Sequence, residues 1–149
     1  MINCCNFFFI KGCRDGSLAI WWDGGNVREE KKHQTSIQEI QLVNEKYFIA
    51  RSRSNGIVLS LWDFDNFLDG FQIDPQNSTT CLSTVNDQVA LGTASGSVYV
   101  FNLSDERKLC PVHILKPETS YGPVRVVRFN HEGKVLVTGH DVGTIEVHF

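Results

Sequence analysis

Along the chain, apolar and polar residues alternate in short runs, and each run stops at a glycine or a cluster of small polar residues. Leu18/Ile20, Val98/Val100 and Ile145/Val147 place every second apolar side chain on one side of an extended segment, the mark of a half-buried strand. Apolar runs at residues 7–10, 89–91 and 135–137 precede these three, and residues 47–50 lead in the same way to the run ending at Trp62. The turns between paired runs close on Asp15-Gly16, Asn55-Gly56, Ser95-Gly96 and Val142-Gly143. Glycine and asparagine there supply the positive φ that a tight hairpin needs. No stretch sustains a helical period, so the pattern predicts an all-β chain of hairpins.

The hairpins repeat. The second glycine of each turn falls at Gly16, Gly56, Gly96 and Gly143, at spacings of 40, 40 and 47 residues. Gly12, Gly92 and Gly139 open three of those turns, and the seven extra residues fall between Ser104 and Pro123. A further strand is expected before each of the last three hairpins, at 37–42, 79–84 and 124–129. Another follows each of the first three, at 27–28, 67–73 and 112–115. Four antiparallel strands in roughly 40 residues is the arithmetic of one propeller blade. The chain divides into units 1–33, 34–75, 76–116 and 117–149 of a single domain.

These units resemble the WD-repeat β-propeller family. The fourth matches best, from Gly122-Pro123 through Phe129, Gly133 and Gly139 to Gly143. Trp62-Asp63 supplies the name-giving dipeptide, and Trp21-Trp22-Asp23 a variant of it. Phe101 and His148 stand where the third and fourth units would carry tryptophan. No unit carries the family's Gly-His dipeptide ahead of its first strand, so the sequence gives no support for the buried Asp–His–Ser–Trp network of regular members. One extra residue between Gly56 and Trp62 predicts a bulge. The first unit starts at its second strand and the fourth stops at its third, leaving three complete blades at most and an open arc rather than a closed ring. Closure would need missing blades or another chain. The chain is therefore expected to be a piece of a longer propeller, or a short one completed by partners or copies, or a compact β fold that only mimics the repeat.

Composition narrows the function. Fourteen basic against seventeen acidic side chains give a net charge of −3, which argues against a nucleic-acid binder and against attraction to an anionic membrane. No run is long enough to insert directly into a membrane. Five scattered cysteines without a C-x-x-C pair read as reduced thiols of a cytoplasmic protein, with no zinc site. The adjacent Cys4 and Cys5 lack the second signal that stable lipid anchoring requires.

Catalytic patterns are missing. There is no H-E-x-x-H and no nucleophile elbow, and the Gly-x-x-x-Gly turns lack the lysine and helix of a phosphate loop. Asp63, Asp65 and Asp69 do not follow the twelve-residue calcium pattern. The chain is expected to be no enzyme and to hold no cofactor or metal. A propeller that binds a small molecule or catalyses at its axis is the rival reading, and a truncated product without independent function is a third.

Recognition is expected on loops held by the rigid sheets. The resemblance implies contacts with a protein or peptide at the hairpin turns and the links between blades. The candidates there are Arg14, Asp15, Arg51, Arg53, Asn55, Tyr121, His140 and Asp141. The blade faces are expected to pack through Leu18, Ile20, Val98, Val100, Ile145 and Val147, with Trp21, Trp22 and Trp62 between blades. The 129–139 string is also similar to that of an endosomal member of the family, which implies a scaffold in endosome maturation working through a small-GTPase partner.

Overall fold

The structure, a computed structural model, describes residues 8–22 and 25–149. Cys4, Cys5 and Asp23 lie outside them. The alternating runs become four antiparallel sheets. β1 (Phe9–Gly12), β2 (Ser17–Trp22) and β3 (Asn26–Lys31) form the first. The second holds β4 (Ile37–Leu42), β5 (Tyr47–Ser52), β6 (Leu59–Asp63) and β7 (Phe67–Phe71). The third holds β8 (Thr79–Val85), β9 (Gln88–Thr93), β10 (Val98–Leu103) and β11 (Leu109–Leu115). β12 (Val124–Phe129), β13 (Leu136–His140) and β14 (Ile145–His148) form the last. Each sheet is a meander with its strands in sequence order, and the sheets make an unclosed arc of propeller blades.

Strand alternation decides which blade each side chain meets. On β5 and β6, Phe48, Ala50 and Trp62 turn toward blade 1, where they pack with Leu18 and Ile20. Ile49, Leu59 and Leu61 turn the other way, onto Leu82, Leu91 and Phe101 of blade 3. Ala90, Val98 and Val100 continue the series against Val124, Val127 and Leu136 of blade 4. Each core is thus a layer between neighbouring sheets, and burying it supplies the main force holding the blades side by side.

The inner strands are stitched as well as packed. Gln41 Nε2 donates to the Leu82 carbonyl at 2.9 Å, and Thr84 Oγ1 donates back to the Leu42 carbonyl at 3.0 Å. At the outer ends of the same two blades, the Leu109 amide donates to Asp69 Oδ2 at 2.9 Å.

Three expectations change. Ile145 and Val147 do not pack against a blade; they are 70% and 50% exposed, because among the described residues no sheet covers the face of blade 4 that they occupy. Trp21 and Trp22 are only half-buried, Trp22 against the core between blades 1 and 2, and only Trp62 is fully enclosed. The extra residue of the second unit makes no bulge in the β5–β6 ladder, which is unbroken from Tyr47↔Asp63 to Arg51↔Leu59; the register shift of β6 lies on its other side, between Leu61 and Trp62, where Leu68 of β7 is the residue left unpaired. The hairpin turn absorbs it, with φ of +63° at Asn55 and +71° at Gly56.

Candidate functional site

Blade 2 contains a buried polar network that the missing Gly-His dipeptide argued against. His33 sits four residues before β4. Its Nδ1 lies 2.7 Å from Ser52 Oγ and its Nε2 lies 2.6 Å from Ser60 Oγ. Trp62 Nε1 donates to the same Ser60 oxygen at 2.7 Å, and Ser52 Oγ donates to the Ile57 carbonyl at 3.1 Å. Ser60 and Trp62 share a strand face because they are two residues apart. The lysine before His33 hid the signal; a histidine just ahead of a strand, with serines on the two strands behind it, would have revealed it. Burial pushes the imidazole down to about 4, so the ring is neutral at physiological pH.

The surface offers a more functional arrangement. Where β4, β8 and β12 begin, each carries a register shift at the same place: between Ile37 and Glu39, between Thr79 and Cys81, and between Val124 and Val126. The skipped residues are Gln38, Thr80 and Arg125, and all three line one groove of about 310 Å³. A bulge re-aims a side chain that regular pairing would have placed elsewhere. Three blades therefore deliver equivalent positions to one concavity, at the end of the strands that carries the hairpin turns.

Arg51, Arg53, Ser78 and Thr79 complete most of the lining. Arg51 donates from Nε to Glu39 Oε1 at 3.2 Å and from Nη1 to Thr79 Oγ1 at 3.0 Å. Arg125 Nε donates to Asp141 Oδ1 at 2.8 Å, a pairing that holds the Asp141 carboxyl below its ordinary pKa and raises that of Arg125. Arg53 is exposed and its guanidinium has no acid partner among the described residues.

The groove gathers some of the expected partner-binding residues and not others. Arg53 stands in it, and Asp141 borders it through Arg125. Arg51 is placed differently from the expectation of a solvent-facing turn residue. It is only 7% exposed, because it is the last residue of β5 paired with β6 and turns with Ile49 onto blade 3. His140 is likewise buried, at 5% exposure, as the last residue of β13. Its Nε2 lies 3.0 Å from Glu146 Oε2, and its ring meets the edge of Tyr121. Both are held by partners inside the chain, and Arg51 also lines the groove. Arg14, Asp15 and Asn55 are exposed but lie outside the groove. Asp15 caps its own turn, accepting bonds from the Ser17 hydroxyl and amide that lower its pKa.

Asp63 is also structural. Its Oδ1 accepts the amides of Asp65 and Asn66, and its Oδ2 faces Arg107 of blade 3 at 3.5 Å. Among the described residues no group of three histidine, cysteine or acidic side chains could hold a metal ion. No helix among them is long and apolar enough to cross a membrane.

Comparison with known proteins agrees with this geometry. Residues 75–148 match the Vps8 β-propeller family. The chain is 26% identical to eukaryotic translation initiation factor 3 subunit I of Kluyveromyces lactis, over 95% of its own length and 44% of that protein's. It is 30% identical to an uncharacterized WD repeat-containing protein of Schizosaccharomyces pombe, over 70% of its length and 32% of the relative's. It thus spans less than half the length of these curated relatives. The C-terminal WD40 domain of Sif2 superimposes with a TM-score of 0.79 at 17% identity, covering 94% of this chain and 42% of that one. Four meander sheets stacked through their inner strands, a repeat of about 40 residues and this set of relatives lead to one assignment: the chain belongs to the WD-repeat β-propeller family.

Proposed function

We propose that the chain is a non-catalytic interaction scaffold that seats a peptide segment of a protein partner in the groove across blades 2, 3 and 4. The observation that carries this reading is the triple bulge, which aims Gln38, Thr80 and Arg125 from three separate sheets into one concavity. A propeller fold supports many functions, so the reading rests on this site rather than on the fold. Loops and bulges on a rigid sheet scaffold hold a binding surface in place without requiring order to form on binding.

A groove-filling change tests it. Thr80→Trp should abolish the partner profile seen by quantitative proximity labelling. Glu45→Trp, in a separate groove at the opposite end of the strands, should leave the profile intact. An unchanged profile with Thr80→Trp would remove the groove from the proposal.

A vesicle-trafficking setting is the second reading. Its support is the similarity of residues 129–139 to an endosomal member, within the segment that matches the Vps8 propeller. Tagged protein that stays diffuse and never coincides with endosomal markers would count against it.

A further inference from the structure

We infer that the groove selects a segment bearing a negatively charged side chain, an aspartate, a glutamate or a phosphorylated residue, and that Arg53 is the residue that reads the charge. The inference rests on the peptide-binding reading above and names the chemistry of its ligand. Three guanidinium groups border the groove, and two are already neutralised within the chain. Glu39 partners Arg51, and Asp141 partners Arg125. Arg53 has no such partner among the described residues, so the groove carries one uncompensated positive charge.

The neighbouring groups suit a carboxylate or phosphate. Gln38 offers an amide N–H, and Ser78 and Thr80 offer hydroxyls. No acid lines the groove among the described residues, and Glu39 and Asp141, which pair with its arginines, are each held by that arginine. An anion entering here would meet a planar guanidinium capable of two parallel hydrogen bonds, with neutral donors around it. A neutral peptide would gain the same shape complementarity but would leave the Arg53 charge unmatched.

The net charge of −3 disfavours a long polyanion such as RNA, whose affinity comes from many phosphate contacts spread over a basic surface. One free arginine in an acidic protein fits a single anionic side chain far better. The Arg53 backbone carbonyl accepts the Thr79 amide at 2.8 Å, a bond that does not involve the side chain, so Arg53→Gln should fold normally.

The experiment screens the protein against an immobilised peptide library whose central residue is fixed in turn as Asp, Glu, phosphoserine, phosphotyrosine, Gln or Ser. A uridine octamer serves as the nucleic-acid probe. The expected result is at least about tenfold enrichment of anionic over neutral centres, weakened by added salt and lost with Arg53→Gln. Whether carboxylate or phosphate centres lead identifies the source of the anion. Equal binding of neutral and anionic peptides, blocked by Thr80→Trp, would overturn the charge inference and leave the scaffold reading standing. Binding of the uridine octamer alone, or of no probe, would overturn both.

Discussion

His33 and Trp62 are joined through a single oxygen, Ser60 Oγ, which lies 2.6 Å from the imidazole Nε2 and 2.7 Å from the indole Nε1. The indole can only donate, so Ser60 accepts from Trp62, and its hydroxyl lies within reach of both His33 Nε2 and the Ala50 carbonyl. His33 Nδ1 lies 2.7 Å from Ser52 Oγ, which donates to the Ile57 carbonyl. One chain of hydrogen bonds thus ties the entry to β4 to both central strands of blade 2.

Ser60→Ala breaks that chain in the middle. It should cost about 1–3 kcal/mol, since a buried indole N–H loses its partner and the imidazole loses one of its two. Urea denaturation reads the loss directly. A cost no larger than that of an exposed serine change, such as Ser120→Ala, would mean the network does not stabilise the blade.

The same histidine makes stability depend on pH. Its pKa falls from 6.5 to about 4 on folding, so between those values the unfolded chain binds a proton that the native state refuses. Stability is complete above pH 6.5 and declines as the pH falls toward about 4, by up to about 3 kcal/mol from this group. The measurement is the difference between native protein and His33→Gln in stability against pH. Parallel curves through that window would refute the assignment.

Arg51 and Arg53 are two residues apart and should behave in opposite ways. Arg51→Ala removes the bonds to Glu39 and Thr79 across two blades and should destabilise by about 2 kcal/mol. Arg53→Ala should stay within about 0.5 kcal/mol, as exposed changes usually do. Comparable unfolding midpoints for the two would contradict the division between clamp and reader.

Gly16 and Gly143 separate backbone strain from close packing. Both hold a positive φ, +91° and +88°. A Cβ on Gly16 would lie 2.2 Å from the His33 carbonyl oxygen, whereas one on Gly143 would meet nothing within 4 Å. Gly143→Ala should cost about 1 kcal/mol from strain alone, and Gly16→Ala clearly more, because the β4 entry must also shift. Thermal midpoints of the two variants compare them.

Much of the architecture was legible because strand alternation leaves a direct trace in sequence. Leu18/Ile20 and Val98/Val100 are buried where the pattern placed them. Ile145 and Val147 follow the same pattern but are exposed, since alternation shows that a face is apolar and not that something covers it. His33 was missed because the dipeptide cue concerns its neighbour, while the contacts that bury it come from β5 and β6. Arg51 was misplaced because a residue at the end of a strand takes its direction from the ladder register, which is a tertiary property. Gln38, Thr80 and Arg125 escaped notice for a related reason. A bulge exists only relative to the strand it is paired with, and nothing in the local sequence marks it.

Because each blade touches only the sheet on either side, unfolding should proceed as a one-dimensional process from the two ends inward. Blades 2 and 3 have a neighbour on both faces and should show the slowest amide hydrogen exchange, with the three-stranded blades 1 and 4 opening first. The groove crosses that gradient, running from Gln38 in a central blade to Arg125 in a terminal one. A ligand seated there acts as a strut, coupling blade 4 to the stable centre. Its binding would be recorded as slowed exchange along β12 and β13, far beyond the residues it touches.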